Sequence, residues 1–257
     1  MNQPAEKPAV IVTGGGRGLG SVIAKKLAED FNVLIVGRTE KDLKDVCDQI
    51  KVSGNTAAYV VGDVSVSSTA EESLAKIDEL GWNLTALVCN AGIGKSRVTH
   101  EISSEEWQTV LNTNVNGSFY FSRMVLPRFI EKKNGSLCFI SSIAGVRGYA
   151  HEAAYVSSKH AIVGLAKSIA LEYGKYGISS VALCPSFIEG DMTDRTIHGL
   201  AERRGISTGE AREVIEKKNP QRRIIPPEEI AEMVAFICKN KVPSLNGSAV
   251  LLTGGES

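Results

Sequence analysis

The feature that most constrains the fold is a regular alternation of short apolar runs with longer amphipathic stretches along nearly all of the 257 residues. The runs cover residues 9–13, 33–37, 57–62, 86–90, 136–141, 179–184 and 249–252. They are rich in β-branched residues and apolar at consecutive positions. That is the pattern of parallel strands covered on both faces, because half-exposed strands alternate apolar with polar. Helical periodicity occupies 21–30, 42–52, 67–80, 105–131, 153–173 and 227–240. Strand, helix and strand in unbroken succession predict an α/β fold, a doubly wound, seven-stranded parallel sheet flanked by helices. No internal repeat, low-complexity tract or linker interrupts the pattern, so residues 1–257 are expected to form a single domain.

One segment breaks the rhythm. Residues 190–226 are polar and strand-free, with helical patterns near 194–204 and 208–218. A stretch of that length inside a compact domain usually serves function, and a helical lid over a site is expected there, with a tolerated surface insertion as the alternative.

Charge narrows the partners. The chain carries 29 basic and 29 acidic side chains, without the basic excess that gripping nucleic acid or an anionic membrane requires. No apolar run approaches the ~20 residues needed to span a bilayer, and Met1 to Pro8 has no apolar core of a signal peptide. The five cysteines are odd in number, scattered and mostly set in apolar runs, as buried thiols are, and no pair has metal-ligand spacing. The expectation is a cytoplasmic protein with no metal, no nucleic acid and no membrane contact.

The first strand runs directly into Thr13-Gly14-Gly15-Gly16-Arg17-Gly18-Leu19-Gly20, and a helix follows at once. Glycines in that position let backbone N–H groups approach a diphosphate at the positive end of the helix. With a second strand after the helix, the context is that of dinucleotide binding.

A second signal lies in the helix near residue 153. Positions 155, 159, 162, 166, 169 and 173 share one face, and four of them are Ile162, Ala166, Ile169 and Tyr173. The others are Tyr155 and Lys159. A lysine in a core-facing stripe is costly unless its charge has a use. A cation one turn from a phenol favours the phenolate, so Lys159 is expected to lower the Tyr155 pKa from its ordinary value near 10.

The glycine spacing is Gly-x-x-x-Gly-x-Gly. It is joined by Asp63-Val64, Asn90-Ala91-Gly92, Asn114-Val115, Ser141-Ser142, Tyr155-x-x-x-Lys159 and Gly254-Gly255, in order along the whole chain. Together these motifs resemble those of the short-chain dehydrogenase/reductase family, and particularly its 3-oxoacyl reductases. The resemblance implies a Rossmann-type domain. It also implies cofactor contacts from Gly14, Gly16, Arg17, Gly18, Leu19, Asp63, Val64, Asn90, Ala91, Gly92, Tyr155, Lys159 and the backbone of Ile188. By the same likeness Tyr155 is the general acid, Ser142 bonds the carbonyl oxygen, Lys159 contacts the nicotinamide ribose and Asn114 holds a water leading from Lys159 to solvent. The chain departs from the family pattern at Ser186, where a glycine is usual, and at Gly190, where a threonine is expected.

NAD enzymes place an acid at the end of the second strand, whereas a 2′-phosphate calls for arginine instead. Here that strand ends Val36-Gly37-Arg38, and Arg17 approaches from the glycine turn. NADP(H) is therefore the expected cofactor. The likeness extends to NADPH-dependent reduction of a ketone to a secondary alcohol, with a 3-oxoacyl thioester carried by CoA or acyl carrier protein as the leading substrate. A cyclic or polyketide-type ketone is the alternative, and a non-catalytic NADPH-binding regulator a third reading. Paired cations in 190–226, with Lys132, Lys133 and Lys175, are candidates for the mouth of the site, although charge runs of this kind are commonly solvated surface. A homotetramer is the family expectation.

Overall fold

The computed structural model describes residues 7–256. Seven parallel strands form one sheet: β1 (Ala9–Thr13), β2 (Asn32–Gly37), β3 (Ala57–Val61), β4 (Leu84–Cys89), β5 (Gly135–Ile140), β6 (Ile178–Pro185) and β7 (Ala249–Leu252). Their spatial order is β3-β2-β1-β4-β5-β6-β7. β1 lies between β2 and β4, with Val12 opposite Ile35 on one side and Val88 on the other. The chain therefore winds outward in both directions from β1. The loops leaving β1 and β4 part at that point, and open α/β sheets bind ligands in such a crevice.

Alternation along the strands divides the core. Val10, Val12, Val33 and Ile35 face α1 (Gly18–Leu27), α2 (Glu40–Val52) and α9 (Pro227–Cys238). Ala9, Ile11, Leu34 and Val36 face α3 (Ser67–Glu79), α5 (Gly117–Lys132) and α6 (Ala153–Tyr173). Neighbouring residues point to opposite faces, so both faces must be apolar. Each large side chain buried this way contributes roughly 1.5–3 kcal/mol. Phe121, Phe129 and Phe139 are among the largest fully buried ones. All five cysteines are buried free thiols.

The periodicity at 105–131 predicts one helix, and the structure divides it. α4 (Ser104–Leu111) opens on a capping box between Ser103 and Glu106. A wide π-turn over Asn112–Asn116 then leads into α5. The local widening places Asn114 inward, 1% exposed, and π-turns of this kind are frequent at functional sites.

Residues 190–226 are more ordered than their polarity suggests. They form α7 (Asp191–Arg204) and α8 (Thr208–Glu216), the latter opened by a capping box between Ser207 and Glu210. Ile197, Ala201, Ala211, Ile215 and Ile224 make a small apolar cluster of their own, separate from both sheet cores.

Candidate active site

The C-terminal ends of β1, β4, β5 and β6 frame the crevice. At β1 the chain turns through Gly14, whose φ of +66° is open to glycine and rarely to other residues. Gly20 lies so close beneath this turn that a Cβ there would stand 2.0 Å from the Gly14 carbonyl oxygen. Asn90 binds the two loops together, its Nδ2 donating to the carbonyls of Thr13 at 3.0 Å and Gly14 at 3.3 Å. The backbone N–H groups of Asn90 and Ala91 both donate to Thr13 Oγ1. The Asn90 side chain is thus used to hold the glycine turn.

This cradle fits the diphosphate of a dinucleotide. No side chain caps the start of α1, and its first turn contains no acid. The positive end of the helix is left to the glycine turn, where Gly18 has no heavy atom within 4 Å of the place a Cβ would take. Arg17, at the N-cap, is exposed beside it. Leu19 packs partly into the core under α1.

At the end of β2, Gly37 presents no carboxylate. Arg38 follows, its side chain 66% exposed and its Nη1 3.7 Å from Asp63 Oδ2. Burial pushes the Asp63 carboxyl up, but hydrogen bonds from the Ser65 N–H and hydroxyl, with the Arg38 charge, outweigh it and hold the group below the usual carboxylate range. Val64 is buried against the first turn of α5.

Tyr155, Lys159, Ser142 and Asn114 come together at the ends of β4 and β5. Tyr155 lies in the first turn of α6 with its phenol beside the Ser142 side chain. Lys159, 5% exposed, donates to the Ile140 carbonyl at 2.8 Å and has its ammonium 5.5 Å from the centre of the Tyr155 ring. Asn114 satisfies its whole amide: Oδ1 accepts from Ile93 N–H at 2.8 Å, and Nδ2 donates to Ile93 O and Ser158 Oγ, each at 2.9 Å. Asn112 is bonded instead to Gln108 and Asn116. Gly92 sits where Asn114 and Lys159 converge, with the position of its absent Cβ 3.4 Å from each polar atom.

The electrostatics correct one expectation. The Tyr155 pKa is not lowered; it is pushed up to about 12, chiefly by burial, with the nearby Glu152 charge adding to the rise and the Ser142 side chain opposing it. Burial also brings Lys159 down to about 8. Both shifts favour the neutral form, because desolvation of the charges outweighs their attraction. At neutral pH the phenol therefore carries its proton.

Further residues stand near the cleft. Glu152, at the N-cap of α6, has its carboxyl pushed up by burial, with Ser96 and the Arg203 charge of α7 opposing the rise. Thr193, in the first turn of α7, donates to the Ile188 carbonyl at 2.5 Å. Ile188 pairs with Ile225 in a short parallel bridge. Gly190 has φ +134°, a conformation that a threonine would rarely adopt. Arg147, Tyr149, Ser186 and Glu256 form a linked group that joins the loop before α6, the residue after β6 and the tail. Four of the candidate mouth cations have local partners: Lys132 with Asn83, Lys175 over the Tyr176 ring, Lys217 with Glu213 and Arg223 with Glu229. Among the described residues no cluster of His, Cys, Asp and Glu could hold a metal, and no helix is long and apolar enough to cross a membrane.

A nucleotide crevice at the sheet's switch point, with a tyrosine, a lysine and a serine at its inner end, defines a dinucleotide-dependent oxidoreductase site. The family model for short chain dehydrogenases matches residues 8–200, and the chain belongs to that family, which binds a nicotinamide cofactor. It is 32% identical over 253 residues to the short-chain reductase protein NovJ of Streptomyces niveus, covering 98% of this chain and 95% of that one. It is 29% identical to the 3-oxoacyl-[acyl-carrier-protein] reductase FabG of Staphylococcus epidermidis, covering 96% and 98%. A crystal structure of a variant actinorhodin polyketide ketoreductase with NADPH superposes with a TM-score of 0.93 at 30% identity, covering 97% of each chain.

Proposed function

We propose that this protein reduces a ketone to a secondary alcohol with NADPH, and that its substrate is a 3-oxoacyl thioester carried by CoA or acyl carrier protein. The observation that carries the reading is the half-buried Tyr155 phenol beside the Ser142 side chain, with the Lys159 ammonium 5.5 Å from the centre of its ring. When bound, the dinucleotide supplies the hydride.

The chain's own residues supply the proton and the geometry. Tyr155 is neutral at pH 7 and donates its proton to the substrate oxygen as that oxygen becomes an alkoxide, a far stronger base than a phenolate. Ser142 hydrogen-bonds the same oxygen and steadies its charge. Lys159 stabilises the phenolate left behind and reaches the nicotinamide ribose. Asn114, fixed by three hydrogen bonds, holds the water path that returns a proton. Gly14, Gly16, Arg17, Gly18 and Leu19 take the diphosphate side. Asp63, Val64, Asn90, Ala91 and Gly92 line the adenosine, and the Ile188 backbone takes the carboxamide. Arg17 and Arg38, with no acid at Gly37, support a 2′-phosphate and hence NADP(H).

The whole chain is read as one domain, with 190–226 as its substrate lid. The separate apolar cluster of α7 and α8 supports motion of the pair as a unit. Exposed Trp107, Phe119 and Leu171 on α4, α5 and α6 support assembly into a homotetramer. The likeness to the polyketide ketoreductase supports a second reading, a cyclic or polyketide-type ketone.

The test follows oxidation of NADPH with acetoacetyl-CoA, longer 3-oxoacyl thioesters on CoA and acyl carrier protein, free acetoacetate and cyclic ketones. Turnover of thioesters is expected. Turnover confined to cyclic ketones selects the second reading, and cofactor binding without any turnover selects a non-catalytic regulator.

A further inference from the structure

Against the loop that links Ser142 to Tyr155 lies a buried carboxylate with no role in the chemistry above. Glu256, 7% exposed, accepts from the Arg147 guanidinium on Oε1 and from the Ser186 hydroxyl on Oε2. The Tyr149 hydroxyl donates to Oε1 at 3.3 Å. Arg147 Nε donates to the Tyr149 hydroxyl at 2.8 Å, and the guanidinium lies 4.8 Å from the centre of that ring. The Lys218 ammonium, just beyond α8, stands 5.8 Å from the Tyr149 ring centre and 4.8 Å from that of Phe187.

The tail is brought there by Gly254 and Gly255, both at positive φ. Gly254 is pressed so closely on Asn219 that a Cβ would lie 2.2 Å from its side-chain oxygen. One carboxylate thus joins the loop between Ser142 and Tyr155, the segment that leads from β6 to Ile188, and a tail packed on the residues after α8. Its partners Arg147 and Ser186 lie 109 and 70 residues away in sequence. The carboxylate is buried while the Arg147 side chain stays 31% exposed, so Glu256 depends on all three partners being in place, and such a carboxylate adds little net stability of its own.

We infer that Glu256 is a positioning residue that holds the 147–149 loop and the 186–188 segment against the end of α8 and so sets the substrate side of the cleft. The inference rests on the proposed reading of the cleft. It also accounts for Ser186, since a glycine at that place has no hydroxyl to give the carboxylate.

The test compares the full chain with Glu256→Gln, which keeps the shape and removes the charge, and with Arg147→Met alone and in combination. Peptide-resolved hydrogen exchange in Glu256→Gln is expected to quicken about tenfold over 147–149, 186–190 and 217–220, with β4 and β5 unchanged. For a ketone that the wild type reduces, KM is expected to rise about fivefold or more while kcat falls less than about twofold. Glu256→Asp should recover part of this, and adding Arg147→Met to Glu256→Gln should cost nothing further. Exchange that quickens only at the tail, or uniformly across the sheet, overturns the inference, as does a KM within about twofold of the wild type. If the wild type reduces none of the ketones, the proposed function fails, and the exchange pattern alone still decides the role of Glu256.

Discussion

Replacing Lys159 by methionine should stabilise the fold while abolishing turnover. Burial lowers the Lys159 pKa from 10.5 to about 8. At ~1.4 kcal/mol per pKa unit, carrying the charge inside the protein costs about 3 kcal/mol at pH 7. Methionine has a similar length and no charge, so it removes this cost without opening a large cavity. Against it stands the lost hydrogen bond to the Ile140 carbonyl, worth about 1 kcal/mol. The net gain is about 2 kcal/mol at pH 7. The sign with pH follows from a folded pKa below the unfolded one. The penalty is full below about 8 and fades as pH rises toward the ordinary lysine value, so the advantage of the variant should shrink by about 1 kcal/mol between roughly pH 7 and 9. Urea unfolding of both proteins at the two pH values measures this. A variant less stable than the wild type at pH 7, or a gap that does not narrow, refutes the argument that the charge is held at a cost. A lysine kept at such a cost is one retained for chemistry.

Tyr155→Phe should fold and bind NADPH yet retain less than about a tenth of the turnover, measured at saturating ketone; more than that removes Tyr155 from the general-acid role. NADPH should bind at least about tenfold more tightly than NADH, a difference of ~1.4 kcal/mol, and Arg38→Ala should remove most of it without weakening NADH, as read by fluorescence titration. Gly20→Ala should abolish cofactor binding and lower stability by about 1–3 kcal/mol in thermal unfolding, because its Cβ would meet the Gly14 carbonyl at 2.0 Å. A variant that binds NADPH normally would show that the turn can move.

What could be read from the sequence depended on whether a residue's constraint was local. β1, β7 and α6 lie on the expected residues, and the other strands within one or two of theirs, because a strand buried on both faces is apolar at every position. Lys159 stood out for the converse reason, a charge inside an apolar stripe. The division of 105–131 had no such signal. Asn114 turns inward to meet the Ile93 backbone and Ser158 Oγ, partners that only the folded chain brings near, and helical periodicity runs straight through it. The direction of the Tyr155 shift was lost in the same way. Spacing along α6 places a cation beside the phenol, but burial of both, with Glu152 close by, decides the sign. Glu256 is the furthest case, since it differs from an ordinary exposed acid only through residues 70 and 109 positions away. The cofactor half of the crevice is built from contiguous motifs, the glycine turn above all, and is legible for that reason. The substrate half is assembled from the 147–149 loop, the residues after β6, the end of α8 and the tail, so its specificity rests on pairings that no single stretch of sequence contains.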